Sequence, residues 1–502
     1  PGIHPGSITV AVSSHVMRVA IVHYHLHTGG VTRIIEHSVS ALQAKGIRVV
    51  VLSGEAPAGQ DWKSPTSIVS SLAYDTLDHS GVTPRQLAGE LDAAAREALG
   101  GPPDLWHVHN HSLGKNLSLP GALHQLAESG QRLLLQIHDF PEDGRPANYR
   151  RMLDTIGRGD PEHLSTLLYP QAGQIHYAVL NSRDLDALRE GGCPAACLHV
   201  LPNPIWLGEP GEENHPRKRT SGPFYLYPTR AIRRKNIGEF LLWSAVADTG
   251  TRFATTRGPL NPAERPAYER WRSFSAELGL PVQFGIGEEY AGSFESLLRS
   301  ADSLVTTSVA EGFGLAFLEP WLIDRPVTGR NLPEITHEFE QAGVELNGLY
   351  DRVEIPVDWI GLPVLEKKVQ AGLERVLGAY GRKPVPEDAA RTLGAWIRNA
   401  RVDFGRLDEP LQEQLIRMAR DSLGARTEIE PARLVIPDAG IRQIHRNRKA
   451  ILDAYSLGGY GEKLTGIYHS MQNSPVEPPG ALSGTAILDC FIAPQRLHLL
   501  RS

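Results

Sequence analysis

The sequence predicts an α/β protein made of two doubly wound domains in tandem, followed by a helical extension. Three observations carry that expectation. Short, continuous apolar runs alternate with helical patterns through the first two-thirds of the chain. The alternation halts once, at a stretch rich in Gly, Pro, Glu and basic residues, and then restarts. After residue 344 helical patterns dominate. Continuous apolar runs between helices mark parallel strands covered on both faces, which is the doubly wound pattern.

In chain order, residues 1–16 read as a loose arm or tag remnant, because Met17 directly precedes the first clear strand. Residues 17–207 form the first Rossmann-like domain, with strands at 19–22, 49–52, 105–108, 133–137 and 177–180 and a helix at 32–45. Residues 208–222 read as a linker. Residues 223–343 form the second Rossmann-like domain, with strands at 224–227, 252–255, 282–284 and 303–306. Residues 344–440 read as a helical insertion or extension with helices at 364–377, 388–399 and 410–423. Residues 441–474 form one or two helices, broken near Ser456, that are expected to cross back to the first domain. Residues 475–502 are a Pro-rich tail ending in a short apolar segment.

A length of 502 residues calls for two to three domains, and 41% hydrophobic with 22% charged residues is ordinary for a globular protein. A net charge of -6 argues against a dedicated nucleic-acid binder. Three cysteines cannot build a disulfide framework, and Cys193/Cys197 lack a second pair at zinc-finger spacing, so no metal is expected there. Free thiols suit a reducing compartment. No apolar run reaches about 18 residues, and the start of the chain lacks the features of a secretion signal. A cytoplasmic enzyme without an integral membrane segment is the expectation.

Chemistry concentrates at strand ends, where open α/β sheets bind ligands. Gly29-Gly30 stands between a strand and a helix, a junction that lets a backbone approach an anion; a plain turn explains it equally well. The pattern is not Gly-x-Gly-x-x-Gly, which counts against a dehydrogenase. His138-Asp139 closes an apolar strand, and His138 is placed to donate to a hydroxyl or a developing charge. His25, His27, His107, His109 and His111 also lie near strand ends, so histidine does not discriminate by itself. Arg230 and Lys235 follow the first strand of the second domain, where cations stabilise a departing diphosphate; Arg233 and Arg234 between them read as solvated. Glu311-Gly312-Phe313-Gly314-Leu315 leads to Glu319, setting a backbone anion cradle between two carboxylates at a helix start.

Together these residues resemble the retaining GT-B glycosyltransferases, in particular family 4, which includes the sucrose-phosphate synthases. The resemblance spans roughly residues 17–335 and resumes faintly near 447–468. Its most specific part is the Glu311-x7-Glu319 element. Arg230…Lys235-Asn236, Asn181-Ser182 and Leu201-Pro202-Asn203-Pro204 also match the family pattern. The resemblance implies a nucleotide-diphosphate hexose, UDP- or GDP-linked, on the second domain. Glu319 would hold the ribose, Glu311 the sugar hydroxyls, Gly312 to Leu315 the phosphates through N–H groups, and Arg230 with Lys235 the leaving diphosphate. Gly29, Gly30, His138 and Asp139 would come from the first domain, which faces a small-molecule or glycan acceptor. It implies front-face transfer with retention, no protein nucleophile, no metal, no cofactor, and domain closure that excludes water.

Pro320 departs from the family pattern. Proline suits only a first helical turn, so the helix carrying Glu319 is expected to start late or kink. A GT-B phosphorylase and a catalytically silent scaffold are the competing readings.

Overall fold

The computed structural model describes residues 16–57, 62–75, 81–205, 222–429 and 440–502. The arm at 1–15 and nearly all of the linker at 208–222 lie outside the described residues. Seven strands build the first sheet: β1 (Arg18–His23), β2 (Arg48–Ser53), β3 (Thr66–Ile68), β4 (Leu105–His109), β5 (Leu133–Ile137), β6 (Ile175–Val179) and β7 (Leu198–Val200). They run in parallel in the order β3-β2-β1-β4-β5-β6-β7. Six strands build the second: β8 (Phe224–Arg230), β9 (Arg252–Arg257), β10 (Val282–Gln283), β11 (Ser303–Thr306), β12 (Val327–Arg330) and β13 (Leu349–Tyr350). Their order is β10-β9-β8-β11-β12-β13, again parallel. Both orders reverse direction beside the first strand, which opens a ligand crevice at the carboxyl ends.

The alternation of side chains along β1 shows why the sheet is buried on both faces. Ala20 and Val22 enter one apolar cluster, while Val19 and Ile21 enter the cluster on the other side. The second cluster is completed by Tyr460, Leu464, Tyr468 and Met471 of helix Leu457–Gln472. That helix therefore covers a face of the first sheet from the far end of the sequence. Tyr460 Oη lies 2.8 Å from Ser38 Oγ, and Tyr468 Oη lies 2.8 Å from His107 Nδ1. Ser456 caps it, its side chain accepting from Gly459 N–H, which accounts for the break from helix Ile441–Tyr455.

The extension is helical but not wholly so. Helices Leu362–Ala379, Pro386–Trp396, Glu409–Asp421 and Leu423–Ile429 surround an antiparallel pair, Glu354–Pro356 with Arg401–Asp403. Strands of three residues are too short to leave a periodic signal, which is why the sequence shows only the helices. The extension touches both domains. Arg330, at the end of β12, pairs with Glu239 of helix Ile237–Val246 and, at 2.8 Å, with Asp403 of the antiparallel pair. On the other side Tyr380 donates to the Pro141 carbonyl (3.0 Å) and accepts from the Arg145 N–H (2.9 Å). The tail helix Gly484–Ile492 packs on helices Pro161–Leu168 and Ser182–Glu190 of the first domain.

The guanidinium of Arg330 is buried between two carboxylates, so removing it strands both. Arg330→Met is expected to lower stability by about 3–5 kcal/mol, measured by urea unfolding with tryptophan fluorescence. A loss below about 1 kcal/mol would show that the triad does not hold the extension in place.

Candidate active site

Two cavities meet in the crevice between the sheets. The smaller, about 360 Å³, is lined by Gly30, Asn203, Lys235, residues 311–316 and Glu319. The larger, about 570 Å³, is lined by Arg145, Arg183, Arg233, Asp143, Glu264 and Arg501 among others. His138, Asp139, Arg234, Glu311 and Gly312 line both. The junction therefore holds residues of both domains.

Glu311 is the electrostatic centre. It is buried, and its carboxylate accepts from Lys235 Nζ, from Ser308 Oγ (2.6 Å) and from Arg234 Nη1 (3.3 Å). Burial pushes this carboxyl up, but Lys235 and Arg234 pull it down further, so it lies below the usual carboxylate range. The two cations ride on a one-turn 3-10 helix, Arg233–Lys235. That turn is pinned to the strand end beside it: Thr307 Oγ1 donates to the Lys235 and Asn236 carbonyls at 3.0 Å, and Val309 N–H donates to the Arg234 carbonyl at 2.9 Å. Arg234 is thus a site residue that the sequence reading left in solvent. Arg230 is exposed at the end of β8 and lines neither cavity. Four cations in six residues look alike in sequence; the phase of the short turn separates them.

The cradle has a different backbone from the one expected. No long helix follows the glycines: Leu315–Phe317 is a 3-10 turn, and the helix carrying Glu319 spans only Glu319–Leu322. Pro320 sits in its first turn, where proline costs nothing. Gly314 has φ 93 and opens the turn, and a Cβ there would meet Ile335 Cγ2 at 2.8 Å, so glycine is required. Phe317 and Leu318 donate back to the carbonyls of Gly314 and Leu315, leaving the N–H groups at the start of the turn free of internal partners. The Phe313 ring packs in the core, edge-on to Phe339 and Tyr455. Glu319 is exposed to solvent yet set among many protein atoms; that crowding raises its carboxyl, and Arg33 of helix Gly30–Ala44 opposes the shift.

From the first domain, Gly29 caps helix Gly30–Ala44 in extended backbone, and a Cβ on Gly30 would meet nothing within 4 Å. The pair leaves open space beside the smaller cavity rather than serving a strained turn. His138 is buried, with its ring Nε2 2.9 Å from His109 Nδ1. Its backbone N–H and that of Asp139 donate to Asn110 Oδ1 at 2.7 and 3.1 Å. Burial, helped by His107, lowers the His138 imidazole to about 3. Asp139 pairs with Arg145 at 2.7 Å. Across the crevice, Asn181 Nδ2 donates to the Gly312 carbonyl at 2.8 Å, joining the domains at the site itself. Asn203 Oδ1 is buried with no hydrogen-bond partner among the described residues. Those residues hold no group of three or more His, Cys, Asp or Glu side chains arranged for a metal ion, and no helix long and apolar enough to cross a membrane.

Two parallel doubly wound sheets face each other across this crevice. The chain has the GT-B fold. Among solved structures, it superposes on sucrose-phosphate synthase from Thermosynechococcus elongatus with a TM-score of 0.50 at 16% identity, over 90% of this chain and 98% of that one. A glycosyltransferase from Rickettsia africae gives 0.51 at 12% identity, over 91% and 99%. Anabaena HepE in complex with UDP gives 0.50 at 12%, over 90% and 99%. By sequence the chain is 23% identical to mannosylglucosyl-3-phosphoglycerate synthase from Petrotoga mobilis, over 95% of this chain and 96% of the relative. No protein-family model matches.

The geometry makes a pH statement about the GT-B crevice. His138 stays neutral at any working pH, since its imidazole gains a proton only near pH 3. Activity is therefore expected to show no acidic limb near pH 6.5 from this residue, and His138→Asn should lower the rate while leaving the pH profile unchanged. A limb near 6.5 that vanishes in the variant would contradict the neutral assignment.

Proposed function

We propose that this protein is a retaining, metal-independent hexosyltransferase that moves a hexose from a nucleotide diphosphate, UDP or GDP, to a hydroxyl acceptor. The observation that carries the reading is the junction of two cavities at Glu311. One cavity offers backbone N–H groups, cations and Glu319; the other offers a polar wall of both charges. In this reading the nucleotide-sugar lies in the smaller cavity, Glu319 takes the ribose hydroxyls and the turn after Gly314 takes the diphosphate. Glu311 orients the hexose hydroxyls at the boundary, and His138 donates to the sugar from the opposite domain.

As the glycosidic C–O bond breaks, charge grows on the leaving diphosphate. Lys235 and Arg234 stabilise that charge, and because it is larger in the transition state they lower the barrier. Lys235 already shares its charge with Glu311, so the diphosphate would enter an existing ion cluster. With cations supplied by the chain, no metal step is required. The acceptor hydroxyl attacks from the same face, its proton passing to the departing phosphate oxygen, and configuration is kept. The name of the Petrotoga relative, a synthase of a mannosylglucosyl compound, favours transfer over phosphorolysis.

Thermal unfolding with UDP, GDP and their hexoses tests donor binding: at a hundred times its dissociation constant the donor should add about 2.7 kcal/mol. Glu311→Ala and Lys235→Ala are each expected to lower transfer by about 100-fold or more, measured by nucleotide release in the presence of a chelator. Proton NMR of the product should show the anomeric configuration of the donor. Activity unchanged in both variants, or an inverted product, would sink the mechanism.

A further inference from the structure

The larger cavity is lined in part by residues that belong to neither sheet. Leu500 and Arg501 line it. They lie on the single turn Leu499–Arg501, which packs on the Arg233–Lys235 turn and on helix Leu362–Ala379 of the extension. Arg501 pairs with Asp143 at 2.6 Å, and its guanidinium occupies the space that a Cβ on Gly144 would need. Gly144 has φ 70, so this loop is shaped to admit the arginine.

Arg145, Arg183 and Arg233 face the same cavity, and each has a carboxylate: Asp139 at 2.7 Å, Asp184 at 2.8 Å and Glu409 at 3.2 Å. In two of these pairs the cation is the more accessible half. Arg233 is 50% exposed against 12% for Glu409, and Arg183 is 10% exposed against 1% for Asp184. At these two pairs a ligand therefore meets the guanidinium before the deeper acid. Guanidinium keeps its charge and forks onto carboxylate or phosphate. Asp143 also faces Arg183 at 3.9 Å, so it keeps a cation if Arg501 turns away. Exchange of partners at Arg501 thus leaves no buried charge uncompensated. A volume of about 570 Å³ suits a small molecule.

We infer that this cavity takes a small acceptor bearing a carboxylate or phosphate, and that Arg501 binds that anion by exchanging Asp143 for it. The extension and the tail then have a purpose: they carry the anion-binding end of the acceptor site to the crevice. The inference rests on the transfer reading only in calling the ligand an acceptor.

Calorimetric titration of the full chain with 3-phosphoglycerate, D-glycerate and glycerol separates the possibilities. The wild type is expected to bind the first or both acids and not glycerol; preference between the two acids tells phosphate from carboxylate. Arg501→Ala should weaken the acid by about tenfold or more, and Arg501→Lys should fall between. Circular dichroism melting of both variants checks that the fold is kept, and Asp143→Asn, which releases Arg501, should tighten the acid. Acid binding that is equal in wild type and Arg501→Ala, or glycerol bound as well as the acids, would overturn the inference and leave Arg501 as a structural latch. Acid binding through Arg501 with no nucleotide binding would instead remove the transfer reading and leave this site standing.

Discussion

The buried guanidinium of Arg330 is the constraint on which the rest of the arrangement depends. It is 4% exposed and lies between Glu239 and Asp403, which are themselves 0% and 5% exposed. Burial pushes the Asp403 carboxyl up, yet Arg330 outweighs that and leaves it at about 2, so the pair is ionic. Tyr350 donates to Glu239 at 2.7 Å and accepts from Trp243 Nε1 at 2.7 Å, which satisfies the remaining polar atoms. A desolvated cation tolerates few geometries, because any shift strands a charge in apolar surroundings. The triad thereby fixes the extension against β12 and helix Ile237–Val246. Tyr380, at the end of the extension's longest helix, then meets the loop at Pro141 and Arg145 in the other domain.

The crevice follows the same rule on a smaller scale. Glu311, Lys235, Arg234 and Ser308 are a closed ionic cluster at the point where the two cavities join. Clustering keeps both signs of charge at a desolvated site, and it leaves them ready for a charged ligand. On the facing domain the histidines answer differently. His23, His107, His109 and His138 are buried together, and burial holds each of them well below its ordinary value. The Glu311 cluster thus faces neutral imidazole at His138 and open backbone at Gly29-Gly30, while the first domain brings its own ion pairs, such as Asp139 with Arg145, to the larger cavity.

Much of the fold was legible because long parallel strands buried on both faces leave unbroken apolar runs. The strand at 133–137 is one: all five residues of β5 are buried. The short strands β3, β13 and Glu354–Pro356 left no such trace. At the site, Glu311, Glu319, Lys235 and His138 could be named from residue type and position at strand ends, and each lines a cavity. Arg234 could not be told from Arg230, since the turn that carries Arg234 is pinned by Thr307 and Val309, more than seventy residues away. The ring of Phe313, to which the sequence reading gave no role, is claimed by the core through Phe339 and Tyr455.

By itself, then, the sequence determined the doubly wound repeat, the break between its halves and the Glu311-to-Glu319 element, because these depend on local periodicity and on glycine's freedom at Gly314. Only the tertiary structure decided how far-apart segments share one crevice. Tyr468 reaches His107, Arg501 reaches Asp143 and Asn181 reaches Gly312, contacts that join residues more than 130 positions apart. Such pairings carry no local pattern; they follow from where the buried charges and apolar faces find partners once the sheets have formed.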